Sequence, residues 1–124
     1  MRKIDLIILD AVRYKNSLRY GNTVITTSYK EPDLVTCVYE RERLICRIIR
    51  NVSMGVLVSA EFNMHGFITR LSRSRMNIIF EALRIPRRVV LCRNKFLIYN
   101  IKDGSNIVYN GLEYIYRNRL KVEL

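Results

Sequence analysis

The chain has 124 residues, 49% of them hydrophobic, and its 22 Lys and Arg against 11 Asp and Glu give a net charge of +11 and a pI near 10.0. A chain of that length buries about two thirds of its unfolded surface in one domain, here residues 1–124, so no metal or disulfide staple is required. With a single histidine, no Cys-x-x-Cys pair and no uncharged run near the ~18 residues of a membrane span, the sequence predicts neither a structural zinc site, a signal peptide nor a membrane helix.

From Ile4 the apolar residues Ile4, Ile7, Ile8, Ala11, Tyr14 and Leu18 recur at helical spacing, and Gly21 with Asn22 supplies a stop, so a first helix is expected there. A strand over 4–9 competes, because the same residues favour β structure. Four runs rich in Val, Ile, Thr and Tyr follow at 23–29, 34–39, 44–49 and 54–62, bounded by turn residues, and read as consecutive strands. Ser74 is placed as the N-cap of a second helix, whose Met76, Ile79, Phe80 and Leu83 form an apolar stripe that Ile85-Pro86 ends. The short apolar runs 89–92 and 96–101 read as central strands buried on both faces. Asn110-Gly111 is a hairpin signal, and the apolar even positions over 112–124 make a long, half-exposed final strand. This order predicts an α+β (mixed α/β) domain, with a central mixed sheet flanked by two helices and a C-terminal β-hairpin.

Charge is unevenly spread. Arginine outnumbers lysine 16 to 6, and residues 66–100 carry eight bases against Glu81 alone, whereas 31–65 hold five acids against four arginines. Guanidinium groups fork onto phosphate oxygens and release condensed counterions, so a nucleic-acid partner is the first expectation, DNA before RNA. Arg70, Arg73 and Arg75 are expected around the start of the second helix, where free N–H groups and the dipole favour an anion, with Arg84, Arg87 and Arg88 at its end and Arg93 beyond. The plainer reading is a solvated basic face that keeps a small protein in solution. The eight tyrosines offer base stacking but equally fill sheet faces. Cys37, Cys46 and Cys92 are far apart in apolar runs, which suits packed free thiols in a reducing cytoplasm.

Two acids stand out. Asp33 follows Pro32 and opens the run Leu34-Val35-Thr36-Cys37-Val38, and Glu61 ends the run Val56-Leu57-Val58-Ser59-Ala60, two residues before Asn63. On these residues the stretch 4–92 resembles the PD-(D/E)xK nuclease superfamily, nearest to the archaeal Holliday junction resolvases. Pro32-Asp33 corresponds to the PD element, Glu61-Phe62-Asn63 to the (D/E)xK element, and the second helix to the one that follows it. The resemblance implies that Asp33 and Glu61 hold Mg2+ or Mn2+, which would activate a water for phosphodiester cleavage. Asn63 stands where the family has a lysine; a neutral amide can position a water but brings no positive charge. Glu40, Arg41, Glu42 and Arg43 read as a solvated turn, with Glu40 or Glu42 as a further ligand in the sharper reading. His65 beside Gly66 is a turn residue, or in the sharper reading a general base or a metal ligand.

The leading expectation is a basic DNA-binding protein with a degenerate metal-dependent nuclease site, the arginines holding the nucleic acid. The alternatives are a non-enzymatic DNA- or RNA-binding protein and a small basic inhibitor that docks on an acidic partner. A homodimer through the edge of the final strand is expected as well, with no membrane contact.

Overall fold

A computed structural model of the chain describes residues 2–118. Helix α1 (Lys3–Arg13) is followed by five strands, β1 (Leu18–Tyr20), β2 (Thr23–Lys30), β3 (Asp33–Glu40), β4 (Arg43–Asn51) and β5 (Leu57–Asn63). Helix α2 (Arg70–Ala82) then leads to β6 (Arg87–Cys92), β7 (Lys95–Asn100), β8 (Asn106–Tyr109) and β9 (Glu113–Arg117). The α+β class is as expected. The sheet is not a single mixed one, however: among the described residues every strand pair is antiparallel, and the strands divide into a six-stranded sheet, β1-β2-β3-β4-β5-β9, and a three-stranded one, β6-β7-β8.

Alternation in the large sheet sets the core. Ile25, Val38, Cys46, Ile48, Ala60 and Phe62 are all at 1% exposure or less, and the strand register places them side by side on one face. The helices contribute Ile8 and Val12 from α1 and Met76, Ile79 and Phe80 from α2, and the small sheet adds Val89, Phe96, Ile98 and Tyr109, so all layers share one apolar cluster. Phe62 and Phe80 meet at 4.8 Å between ring centroids, with Tyr114 of β9 closing the group. The opposite face of the large sheet carries Thr26, Ser28 and Arg47 to the exterior, as a half-covered antiparallel sheet should.

Several elements differ from expectation. Helix α1 ends at Arg13 rather than running to Leu18: Lys15 takes a left-handed conformation (φ 61°), and Gly21-Asn22 instead forms the turn between β1 and β2. Helix α2 starts at Thr69, not Ser74. Thr69 and Ser72 form a reciprocal capping box, Ser72 N–H donating to Thr69 Oγ1 at 3.1 Å and Thr69 N–H to Ser72 Oγ at 2.9 Å. Strands β6 and β7 are covered on one face only: Val89, Phe96 and Ile98 are buried, whereas Val90 and Leu97 on the other face are half-buried and Val108 of the adjoining β8 is 64% exposed.

The C-terminal hairpin is β7–β8, turning at Asp103 and Gly104. Asn110-Gly111 carries the chain from the small sheet back to the large one instead. There Gly111 (φ 85°) packs on the backbone of Gly66, where an added Cβ would lie 2.9 Å from the Gly66 carbonyl carbon, and Gly66 N–H donates to Gly111 O. Of the long final strand, Glu113–Arg117 is formed as β9, and 119–124 lie outside the described residues.

Candidate nucleic-acid interface

The expected arginine patch separates into three environments. Arg70, Arg73, Arg87 and Arg88 line one groove of about 1060 Å3 that runs between α2 and the free edge of β6. Arg2, at the N-cap of α1, joins them; its Nη2 donates to Ser74 Oγ at 3.1 Å. Glu81 and Asp5 are the acids of this groove, and Asp5 is already engaged by Arg2 and Arg75. Its floor is apolar, formed by Ile78, Ile85, Val89 and neighbours.

The groove exists because of Asn77. Its amide Nδ2 donates to Val89 O at 2.9 Å and its Oδ1 accepts from Val89 N–H at 2.7 Å, so one helical side chain docks α2 along the strand edge. Residues 70, 73, 74, 77 and 81 share one helix face, which is why Arg70 and Arg73 look across at Arg88. Arg87 also lies over the Tyr116 ring, 5.2 Å from its centroid, bridging the two sheets.

Arg75 is not part of that surface. It is 3% exposed, with Nε 3.2 Å from Glu40 Oε2 and Nη1 3.6 Å from Asp5 Oδ1, tying α2 to β3 and α1. Glu40 also accepts from Thr23 Oγ1 at 2.7 Å, so it is a structural partner rather than a free ligand. Arg84 ends α2 at φ 55° and Arg93 occupies the β6–β7 turn at φ 50°; both are exposed and neither lines the groove.

The acidic pair of the nuclease resemblance is not brought together. Asp33 sits opposite Asn51 at the start of β3, whereas Glu61 is level with Arg47 and hence with Cys37. Two strand spacings of ~4.8 Å and four residues of ~3.3 Å separate their backbones by roughly 16 Å. Two carboxylates that share one ion through bonds of ~2.0–2.6 Å must lie far closer, so Asp33 and Glu61 do not fit the Mg2+ or Mn2+ that the resemblance implies. Glu61 instead faces Arg47 across the sheet, 3.9 Å from its Nε. Asn63 Oδ1 accepts from His65 N–H at 2.8 Å, which shapes the turn after β5, and His65 Nε2 lies 2.7 Å from Leu44 O as the donor of that bond. Among the described residues no three His, Cys, Asp or Glu side chains cluster as metal ligands.

The tyrosines mostly pack. Tyr109 is buried, its hydroxyl donating to Leu112 O at 2.6 Å, and burial pushes its pKa up to about 12. Tyr14 and Tyr29 are exposed but lie outside the groove. Of the cysteines, Cys46 is buried and its thiol pKa is pushed well up by that burial, Cys37 is half-buried and Cys92 is exposed; all three are free.

Arg2 lies far in sequence from the basic run of residues 66–100 and joins it only through the fold. Its one local signal is Asp5 three residues on, an i, i+3 pair that ties the guanidinium down beside the helix start. Set against protein-family models, curated proteins and solved structures, the chain matches none of them. Among the described residues no helix is long and apolar enough to cross a membrane.

Proposed function

We propose that this protein binds nucleic acid, DNA in the first instance, through the groove between α2 and β6, and that it does so without cutting it. The observation that carries this reading is the convergence of five arginines, Arg2, Arg70, Arg73, Arg87 and Arg88, from three separate elements on one groove. A 13-residue helix extends about 20 Å, the length of roughly six base steps at ~3.4 Å. Arg70 and Arg73 in the first turn of α2, Arg2 beside them and Arg87 and Arg88 on the facing strand would each offer a phosphate a planar fork of donors. Binding rather than cleavage is favoured because Asp33 and Glu61 lie apart, so no magnesium-dependent step is assigned to them. The free thiols of Cys37, Cys46 and Cys92 suit a reducing, cytoplasmic setting.

The test is the salt dependence of binding to a short DNA duplex. With about four phosphates neutralised, log K should fall against log salt with a slope near −3.6. Arg73→Ala with Arg88→Ala should flatten that slope by about two charges' worth, whereas Arg93→Ala, outside the groove, should have less effect. A slope near zero, or a double variant that binds as the parent does, would overturn the reading. Tight, salt-sensitive capture of an acidic protein with no affinity for DNA or RNA would favour the basic-inhibitor alternative.

A second proposal concerns assembly. Strand β9 ends the six-stranded sheet, pairing with β5 on one side. Its other edge offers backbone donors and acceptors to a second copy of the chain, the arrangement of an isologous homodimer.

A further inference from the structure

A second cavity, of about 340 Å3, lies on another part of the molecule, where the end of the β3–β4 hairpin, the loop after β5 and the first turn of α2 meet. Its walls are Ile45, Met64, Phe67 and Leu71. Most of its polar groups are already occupied. Thr69 and Ser72 satisfy each other in the capping box, Glu40 is held by Thr23 and Arg75, and His65 is held by the Leu44 carbonyl.

Two features remain open. The first is the start of α2: the first-turn N–H groups of Arg70 and Leu71 lie outside the capping box and carry the positive end of the helix dipole. The second is the pair Arg41 and Arg43, exposed on the cavity's lining, with the Arg43 guanidinium 5.0 Å from the Phe67 ring centroid. Arg75 also lines the cavity but offers it no free donor, because its Nη1 is closed off from solvent and faces Asp5 of α1, outside the cavity. With Glu40 paired to Arg75, Arg41 and Arg43 leave the lining positive.

We propose that this cavity is a binding site for a small amphipathic carboxylate. The apolar body of the ligand fills the space between Ile45, Met64, Phe67 and Leu71. Its carboxylate lies toward Arg41, Arg43 and the α2 N-terminus. The volume is at the lower end of the range for small-molecule pockets, which limits the ligand to one ring or a short acyl chain. This site is independent of the groove between α2 and β6 and does not require that the protein bind nucleic acid.

The experiment titrates the full chain with 4-phenylbutyrate and, in parallel, with 4-phenylbutan-1-ol, following amide and methyl NMR shifts of Leu71, Phe67 and His65. The acid is expected to saturate with a Kd of about 1 mM or tighter and the alcohol to bind at least about tenfold more weakly. Arg41→Ala with Arg43→Ala, at exposed positions, should abolish that preference, and Leu71→Trp, which fills the cavity, should remove binding of both. A fold check by the unperturbed shifts of the small sheet accompanies each variant. No saturable shift in the parent, equal affinity for acid and alcohol, or undiminished binding in folded Leu71→Trp would each overturn the proposal.

Discussion

Arg75 holds three elements at one point, and its burial makes both its acids necessary. A guanidinium taken out of water is tolerated only with the carboxylates of Asp5 and Glu40 beside it, and removing the arginine leaves part-buried Glu40 without a counter-charge and Asp5 with Arg2 alone. Arg75→Leu is expected to lower unfolding stability by about 3 kcal/mol, measured by urea denaturation. On the sequence Arg75 looks like one more member of a basic run, and only the true start of α2 at Thr69 turns it inward, in line with Ser72 and Ile79. Arg50 is likewise unmarked in the sequence. Strand alternation puts it on the inner face, where its Nη2 donates to Val12 O at 2.7 Å in the last turn of α1, and burial lowers its pKa. Tyr109 supplies a pH signature. Its folded pKa of about 12 lies above the ordinary value of 10.0, so its contribution is complete below pH 10 and fades as pH rises from 10 to 12, where only the unfolded chain ionises. Stability followed by circular dichroism should fall across that window, and Tyr109→Phe should flatten the fall while lowering stability at neutral pH, because Leu112 O loses its donor.

At the level of elements, the strands of the large sheet were the most legible part of the chain, since a covered face imposes a period of two on β2 to β5. The start of α2 was misread because a serine at 74 precedes the clearest apolar stripe, whereas the actual cap pairs a threonine with a serine, without the glutamate that usually marks a capping box. Thr69→Ala should therefore cost about 1 kcal/mol, while Ser74→Ala should cost less, its hydroxyl touching only the side chains of Arg2 and Asp5. Thermal melts of the two variants side by side decide which residue caps the helix. Asn110-Gly111 misled in a different way. The dipeptide fits any sharp reversal, and here the glycine serves a close backbone crossing that depends on where Gly66 lies in space, which no local pattern records. The candidate site was legible in part: Arg70, Arg73, Arg87 and Arg88 were visible as charge, but Asp33 and Glu61 were joined by a motif that takes no account of strand register.

For the molecule as a whole, the division into two sheets determines which edges meet solvent. If the outer edge of β9 pairs with its copy, light scattering should give about twice the 14.7 kDa chain mass at micromolar concentration, and a monomer at high concentration would rule that pairing out. The edge of β6 is managed differently, by a helical side chain in place of a strand. Asn77 takes both backbone hydrogen-bonding groups of Val89, in the middle of that edge, which interrupts the row that a neighbouring chain would seek. Asn77→Leu preserves the bulk but uncovers a hydrogen-bonding edge beside Val90 and the exposed Leu91, the kind of surface on which β-structure recruits more of itself. That variant should turn thioflavin-positive on storage where the parent stays clear, so a single amide acts as a gatekeeper against fibre growth.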